Sequence, residues 1–199
     1  MTLSPAPVAP DLPDSIRYGW FPRYEGSAED HARQWLAAQL GCEPVAVPLI
    51  RDALGRPRLS ARFRQFDVNW SHSGGGLLVG LGEGVRIGVD VERVRPRPRA
   101  LALAERFFAP SEAQWLAMLA PAECETVFLR LWCAKEAVLK AHGRGLAFGL
   151  DKLTFADVED TLSLVACDRL LGHPQDWELR ELDPASGYRA AIAWGGRPR

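Results

Sequence analysis

Arg86-Ile87-Gly88-Val89-Asp90-Val91-Glu92-Arg93-Val94 alternates along its whole length. Strand side chains point by turns to opposite faces, so Ile87, Val89 and Val91 share one face and Asp90 and Glu92 the other. A half-buried strand with a solvated acidic face accounts for that pattern. Two carboxylates at adjacent same-face positions repel each other, however. A hard cation would turn that repulsion into binding energy.

The second chemical element lies about forty residues downstream, in Phe128-Leu129-Arg130-Leu131-Trp132-Cys133-Ala134-Lys135-Glu136-Ala137-Val138-Leu139-Lys140. Spacings of four place Trp132, Glu136 and Lys140 along one side of a helix. Val127, Leu131, Ala134 and Val138 mark another, apolar side for the core. Alone, Glu136 and Lys140 read as a surface ion pair worth about 0.3–0.5 kcal/mol. Beside Asp90 and Glu92 they read differently. Three carboxylates and a lysine can hold a metal ion and a phosphate-bearing ligand together. The all-oxygen donor set favours Mg²⁺ or Mn²⁺ over zinc.

Around these elements the chain divides into strands and helices. Arg95-Pro96-Arg97-Pro98-Arg99 is the clearest break, because prolines cannot sustain strand pairing. Helices are expected at 100–108, from Pro110 and Ser111 with a capping box to Gln114, and at 122–142. Strands are expected at 153–155, 162–166, 177–182 and 188–194. Upstream, residues 1–16 read as a proline-rich irregular arm, 27–40 as a helix, and 45–50, 68–70, 77–81 and 85–94 as strands. Ser71-His72-Ser73-Gly74-Gly75-Gly76 reads as a loop whose hydroxyls, backbone N–H groups and imidazole could approach phosphates. Gly55-Arg56-Pro57 puts an arginine in a tight turn. Helix followed by strands in both halves indicates α+β architecture.

Composition bounds the class. The chain has 199 residues, 47% hydrophobic and 25% charged, with a formal net charge of −1. It lacks the basic excess of a general nucleic-acid binder. The start, Met1 to Pro13, has no signal-peptide pattern, and no apolar run reaches the roughly 18 residues of a membrane span. Cys42, Cys124, Cys133 and Cys167 show no zinc spacing and read as reduced structural thiols of a cytoplasmic protein.

Taken together, the motifs resemble the 4′-phosphopantetheinyl transferases, and most closely the surfactin-synthetase-activating type. Gly88-Val89-Asp90-Val91-Glu92 and Trp132-Cys133-Ala134-Lys135-Glu136-Ala137-Val138-Leu139-Lys140 match the paired signature. Gly55-Arg56-Pro57, Asn69-Trp70-Ser71-His72-Ser73-Gly74, Phe107-Phe108 before Ser111-Glu112, and Gly143-Arg144-Gly145-Leu146 match in order over residues 52–155. The resemblance implies two similar α+β lobes, 1–84 and 85–199, with coenzyme A in the cleft between them. It implies transfer of the phosphopantetheine arm to a serine of an acyl or peptidyl carrier protein, releasing adenosine 3′,5′-bisphosphate. By motif, Asp90, Glu92 and Glu136 would hold Mg²⁺, and Lys140 would contact the coenzyme phosphates. Ser71, His72 and Arg56 would bind the phosphate and nucleotide portion. The segment before the first helix is short for this type, leaving Arg17, Arg23 and Arg33 as basic candidates; Arg33 is assigned to the 3′-phosphate.

Glu136 is the expected general base, acting directly or through a metal-bound water, and the sequence leaves open whether it serves as base, metal ligand or both. Glu112 is a second acidic candidate, with an alternative role as an acidic residue in a helix's first turn. Lys135, about 100° round the helix from Glu136, would face either the carrier or solvent. A monomer without nucleic-acid or membrane partners is expected. Two rival functions are a non-catalytic carrier-binding protein and a metal-dependent nuclease. The nuclease is disfavoured because Val94 stands where such sites usually carry a lysine.

Overall fold

The computed structural model describes residues 12–22 and 24–196. The arm expected over 1–16 therefore lies largely outside the described residues, as does Arg23. Strand β1 (Ile16–Phe21) leads to helix α1 (Ala28–Leu40). The Ser27 hydroxyl accepts from the Asp30 N–H, and Gly41 closes the helix in the left-handed region at φ 63°. A short hairpin follows, β2 (Leu49–Arg51) with β3 (Pro57–Leu59). The strand expected over 45–50 is only partly realised: a 3₁₀ turn at Pro44–Ala46 takes its start and β2 begins at Leu49, since Pro44 and Pro48 donate no backbone hydrogen bond.

Strands β4 (Phe66–Ser73) and β5 (Gly76–Glu83) form a hairpin that β1 joins on the far side of β5, giving the order β1-β5-β4. This corrects the expected loop at 71–76. Ser71, His72 and Ser73 are strand residues, and the reversal is the tight turn at Gly74 and Gly75, where Gly74 has φ +57°. A second sheet has the order β6-β10-β9, from β6 (Val85–Arg93), β9 (Trp177–Leu182) and β10 (Tyr188–Gly196). Helices α2 (Ala100–Phe107), α3 (Pro110–Ala117) and α4 (Pro121–His142) and the hairpin β7 (Leu153–Val158) with β8 (Thr161–Cys167) complete it. Helix α3 is capped differently from expectation. Ala109 is the N-cap, and the Glu112 carboxylate accepts its N–H at 3.0 Å, so Ser111 does not cap.

Three apolar clusters set the layering. Helix α1 covers one face of the first sheet through Leu36, Val68, Leu77, Val79 and Leu81. Leu78, Ile87, Val89, Val91, Ile192 and Trp194 fill the space between the sheets. Helix α4 covers the outer face of the second sheet, with Ala137 and Ala141 against Ala191 and Ala193. The period-two pattern of β6 is realised in this way, with its apolar face turned to the first sheet and Gly88, Asp90 and Glu92 toward α4.

Helix α4 approaches β6 as closely as it does because position 88 has no side chain. A Cβ there would sit 2.1 Å from the Ala137 carbonyl oxygen and 2.3 Å from the Ala141 nitrogen, both backbone atoms that cannot turn aside. Gly88→Ala should therefore push α4 outward at a cost of about 1–3 kcal/mol or more. Gly196→Ala, with nothing within 4 Å of the added carbon, is the control. Thermal unfolding should show a lower midpoint for Gly88→Ala and none for the control. Equal midpoints would contradict the packing argument.

Candidate active site

Strand β6 is the edge of its sheet, so its outward backbone groups need partners from elsewhere. Strand β4 supplies them with side chains. Asp67 Oδ2 accepts from the Ile87 N–H at 2.9 Å, Asn69 Oδ1 from Val89 at 3.0 Å, and Ser73 Oγ from Arg93 at 3.1 Å. Ser71 stands in the same row and donates to Asp90 Oδ1 at 2.8 Å. This polar seam fixes where the acidic face of β6 lies against the first sheet.

Helix α4 delivers the rest. Lys140 Nζ lies 2.6 Å from Asp90 Oδ1 and donates to Ser71 Oγ at 2.9 Å. Asp90 is 4% exposed and Glu136 7%. Burial, then repulsion from Asp90, pushes the Glu136 carboxyl up to about 7; Lys140 opposes the rise and Glu92 adds to it. Burial works against the charge on Lys140, but Asp90 and Glu136 outweigh it and raise its pKa overall. The buried Cys133 thiol is raised far above its usual range by burial and by Asp90 and Glu92, so it stays protonated and unreactive.

The donor chemistry fits a hard divalent cation. Asp90 Oδ2 is buried without a hydrogen-bond partner, and Glu136 has no hydrogen bond among the described residues. Both present open carboxylate oxygens, the ligands such an ion takes. Glu92 is more engaged, since Ser73 donates to its Oε2 at 3.1 Å and Arg97 at 2.8 Å. Among the described residues no three Asp, Glu, His or Cys side chains converge into a closed cage.

A cavity of about 180 Å³ opens beside Lys140, walled by Arg56, Asn69, Arg144 and Gly55, Gly143 and Gly145. Arg56 is half committed. Its Nη2 pairs with Asp67 and donates to the Ile87 carbonyl, each at 2.6 Å, while its buried Nε and Nη1 lack partners. A larger cavity, about 240 Å³, lies at Arg130, Glu181 and Arg189. Its charges are already matched, with Arg130 bidentate to Glu181 and Arg189 paired with Asp183.

The structure brings Asp90, Glu136, Lys140, Ser71 and Arg56 to one place, with Glu92 at its margin. His72 is exposed on the opposite face of β4 from Ser71, its ring 6.0 Å from that of Tyr24. Arg33 spends its guanidinium on the Val47 carbonyl at 2.6 Å and on Glu29 at 3.3 Å. One expectation is corrected and one alternative decided. Lys135 faces neither the carrier nor solvent: it is buried and pairs with Glu112 at 2.6 Å. Glu112 takes the first-turn role in α3 and, being buried and paired, is not a free acid. The residues missed are Asp67, Asn69 and Arg144. The first two carried a readable signal, the polar alternation Asp67-Asn69-Ser71-Ser73.

Removing one member of the Asp90–Lys140 pair should cost more than removing both, because a lone buried carboxylate loses its compensation. Equilibrium unfolding of Asp90→Asn, Lys140→Met and the double variant should give a coupling energy of about 1–3 kcal/mol. Strict additivity would contradict the pairing.

Comparison with known proteins places the chain in a family. Residues 86–193 match the family model described as the 4′-phosphopantetheinyl transferase superfamily. The HetI 4′-phosphopantetheinyl transferase of Nostoc sp. is 34% identical over 166 residues, covering 82% of this chain and 67% of its own. A Synechocystis sp. protein provisionally named a 4′-phosphopantetheinyl transferase is 42% identical over 119 residues, covering 59% of this chain and 48% of its own. The chain thus spans about half to two-thirds of these curated relatives. Among solved structures, the holo-[acyl-carrier-protein] synthase of Thermotoga maritima overlaps 56% of this chain and 63% of its own, at 18% identity and a TM-score of 0.44. With more than half of its length matching the family model, and the Nostoc protein aligned along most of it, the chain belongs to the 4′-phosphopantetheinyl transferase superfamily.

Proposed function

We propose that the protein transfers the 4′-phosphopantetheine arm of coenzyme A to a serine of an acyl or peptidyl carrier protein, releasing adenosine 3′,5′-bisphosphate. The observation that carries this reading is the meeting of Asp90, Glu136 and Lys140, all within the segment that matches the family, beside a cavity with unpaired Arg56 nitrogens. The relatives' names support the same reaction. The carrier serine oxygen forms the new bond to the β-phosphorus, and the bond from that phosphorus to the nucleotide's phosphate oxygen breaks. Glu136, on the α4 face that meets Asp90, is the residue we assign to take the serine proton. Lys140 brings positive charge to the diphosphate oxygens from the cavity rim. Mg²⁺ held by Asp90 and Glu136, with Glu92 as the third carboxylate, would supply further charge where the leaving group becomes more negative. Arg56 lines the coenzyme cavity, and Ser71 holds Lys140 and Asp90 beside it; a role for His72 or Arg33 at the coenzyme's outer phosphates would need Arg33 to leave Val47 and Glu29 and the coenzyme to reach the far face of β4.

Two sheets, each covered by one long helix, support the reading of two similar lobes, 1–84 and 85–199, with coenzyme between them. The motif order supports the surfactin-synthetase-activating type. Among the described residues no helix is long and apolar enough to cross a membrane. We assign the protein to the cytoplasm as a monomer.

An apo carrier incubated with coenzyme A, Mg²⁺ and the protein should gain one phosphopantetheine arm by mass spectrometry. Asp90→Ala and Glu136→Ala should each lower turnover about 10²–10³-fold, the usual loss for one electrostatic stabiliser. EDTA should stop the reaction and Mg²⁺ restore it. No transfer by the native protein would favour the non-catalytic carrier-binding reading, and near-normal turnover by either variant would refute the residue assignment.

The arginine run supports an acidic carrier surface as partner. Arg93, Arg95 and Arg99 are exposed, whereas Arg97 is tied to Glu92 and, through its N–H, to Glu125. Replacing Arg95 and Arg99 with Ser should raise KM for the carrier, flatten its salt dependence and spare KM for coenzyme A. An unchanged carrier KM would make the run a linker.

A further inference from the structure

Among the described residues Lys135 is the most deeply buried charged side chain, at 0% exposure, and the proposed chemistry does not use it. Its three ammonium protons have three acceptors. These are Glu112 Oε2 at 2.6 Å, the Leu150 carbonyl at 2.9 Å and the Leu153 carbonyl at 2.5 Å. The rings of Phe108 and Phe155 flank it at 4.9 and 5.8 Å. Glu112 is equally occupied. It also accepts from the Ala109 N–H at 3.0 Å and the Phe155 N–H at 2.9 Å. The pair thus joins four pieces of chain: the start of α3, the middle of α4, the end of the α4–β7 connection and β7 itself.

That connection explains why a charge sits here. It begins at Gly143, Arg144 and Gly145, which wall the cavity beside Lys140 and Arg56. Its near end is held by the helix cap, where the Gly143 N–H reaches the Leu139 carbonyl at 2.9 Å. Its far end is buried at Leu150 and Leu153, whose carbonyls need donors away from water. Helix α4 does not need the pair for its own position, because Leu131, Ala134, Ala137, Leu139 and Ala141 are already fully buried against the core. Removing Lys135 therefore releases the connection while leaving Glu136 and Lys140 on a helix held by other contacts.

We propose that Lys135 and Glu112 are positioning residues that anchor the 143–153 connection and so hold the wall of the coenzyme cavity in its binding shape. The cavity's role as the coenzyme site rests on the proposed function; the anchoring does not.

The test uses Glu112→Gln, which keeps an acceptor for the Phe155 N–H, and Lys135→Met/Glu112→Gln, which leaves no lone buried charge. Hydrogen exchange on the full-length protein should show amides of 146–153 losing about tenfold or more of their protection, as expected when charged hydrogen bonds are lost. Amides of 127–139 in α4 should keep theirs. In transfer assays well below each variant's melting temperature, KM for coenzyme A should rise about tenfold with kcat within about twofold of native. Calorimetry with coenzyme A should show the same weakening. Unchanged exchange at 146–153, or an equal loss across α4, would overturn the anchor. A fall in kcat without a change in KM would overturn its link to the coenzyme wall. A native protein that neither binds coenzyme A nor transfers the arm would refute the proposed function, and the exchange result would still decide the anchor.

Discussion

The row of side chains that β4 lays along the free edge of β6 is the constraint on which the site depends. A sheet edge inside a protein cannot leave its N–H groups bare, since each would forfeit about 1–3 kcal/mol of lost solvation. Asp67, Asn69 and Ser73 satisfy that edge from the neighbouring sheet, and Ser71 turns the same row toward Asp90. The seam is therefore both structural and chemical. It joins the two sheets at a fixed height and brings the first sheet's hydroxyl to the second sheet's carboxylate. Asp67 is its hub, held from outside by Arg56 and Arg58, and Arg56 in turn reaches the cavity.

The second constraint is the closeness of α4. Glu136 and Lys140 act together with Asp90 because the helix backbone rests almost on Gly88. That proximity crowds carboxylates into a partly dry space, and the consequence is visible in Glu136, which burial and Asp90 push up to about 7. Such crowding is unfavourable unless charge of the opposite sign is near. Lys140 answers it on one side of Asp90, while the other carboxylate oxygen stays unanswered. The fold thus holds an incompletely compensated cluster of acids next to an incompletely satisfied arginine.

Much of this was legible in the sequence. The alternation through Asp90 and Glu92 gave the strand, its faces and its acids, and the spacing of Glu136 and Lys140 gave the facing helix. Both signals are periodicities, which the backbone enforces locally. The strand character of Ser71, His72 and Ser73 was hidden because small polar residues and glycines suit loops as well. What makes them a strand is β6, distant in sequence, whose edge they satisfy. His72 and Ser71 are neighbours in the chain, yet strand alternation sends them to opposite faces, and only Ser71 meets Asp90. Lys135 reads as facing the carrier or solvent because charge favours exposure, and nothing along the chain pairs it with Glu112. Their burial follows from mutual pairing and from two carbonyls that no pattern along the chain announces.

The central claim is that Asp90 and Glu136, held together by the seam and by α4, form a single divalent-metal site beside the coenzyme cavity. Crystals grown with coenzyme A and Mn²⁺, measured for anomalous scattering, test it directly. The account predicts one strong manganese peak at the carboxylates of Asp90 and Glu136, with coenzyme A in the Arg56–Lys140 cavity. A metal bound elsewhere with those two carboxylates unligated, or coenzyme A seated away from the Arg56–Lys140 cavity, would contradict it.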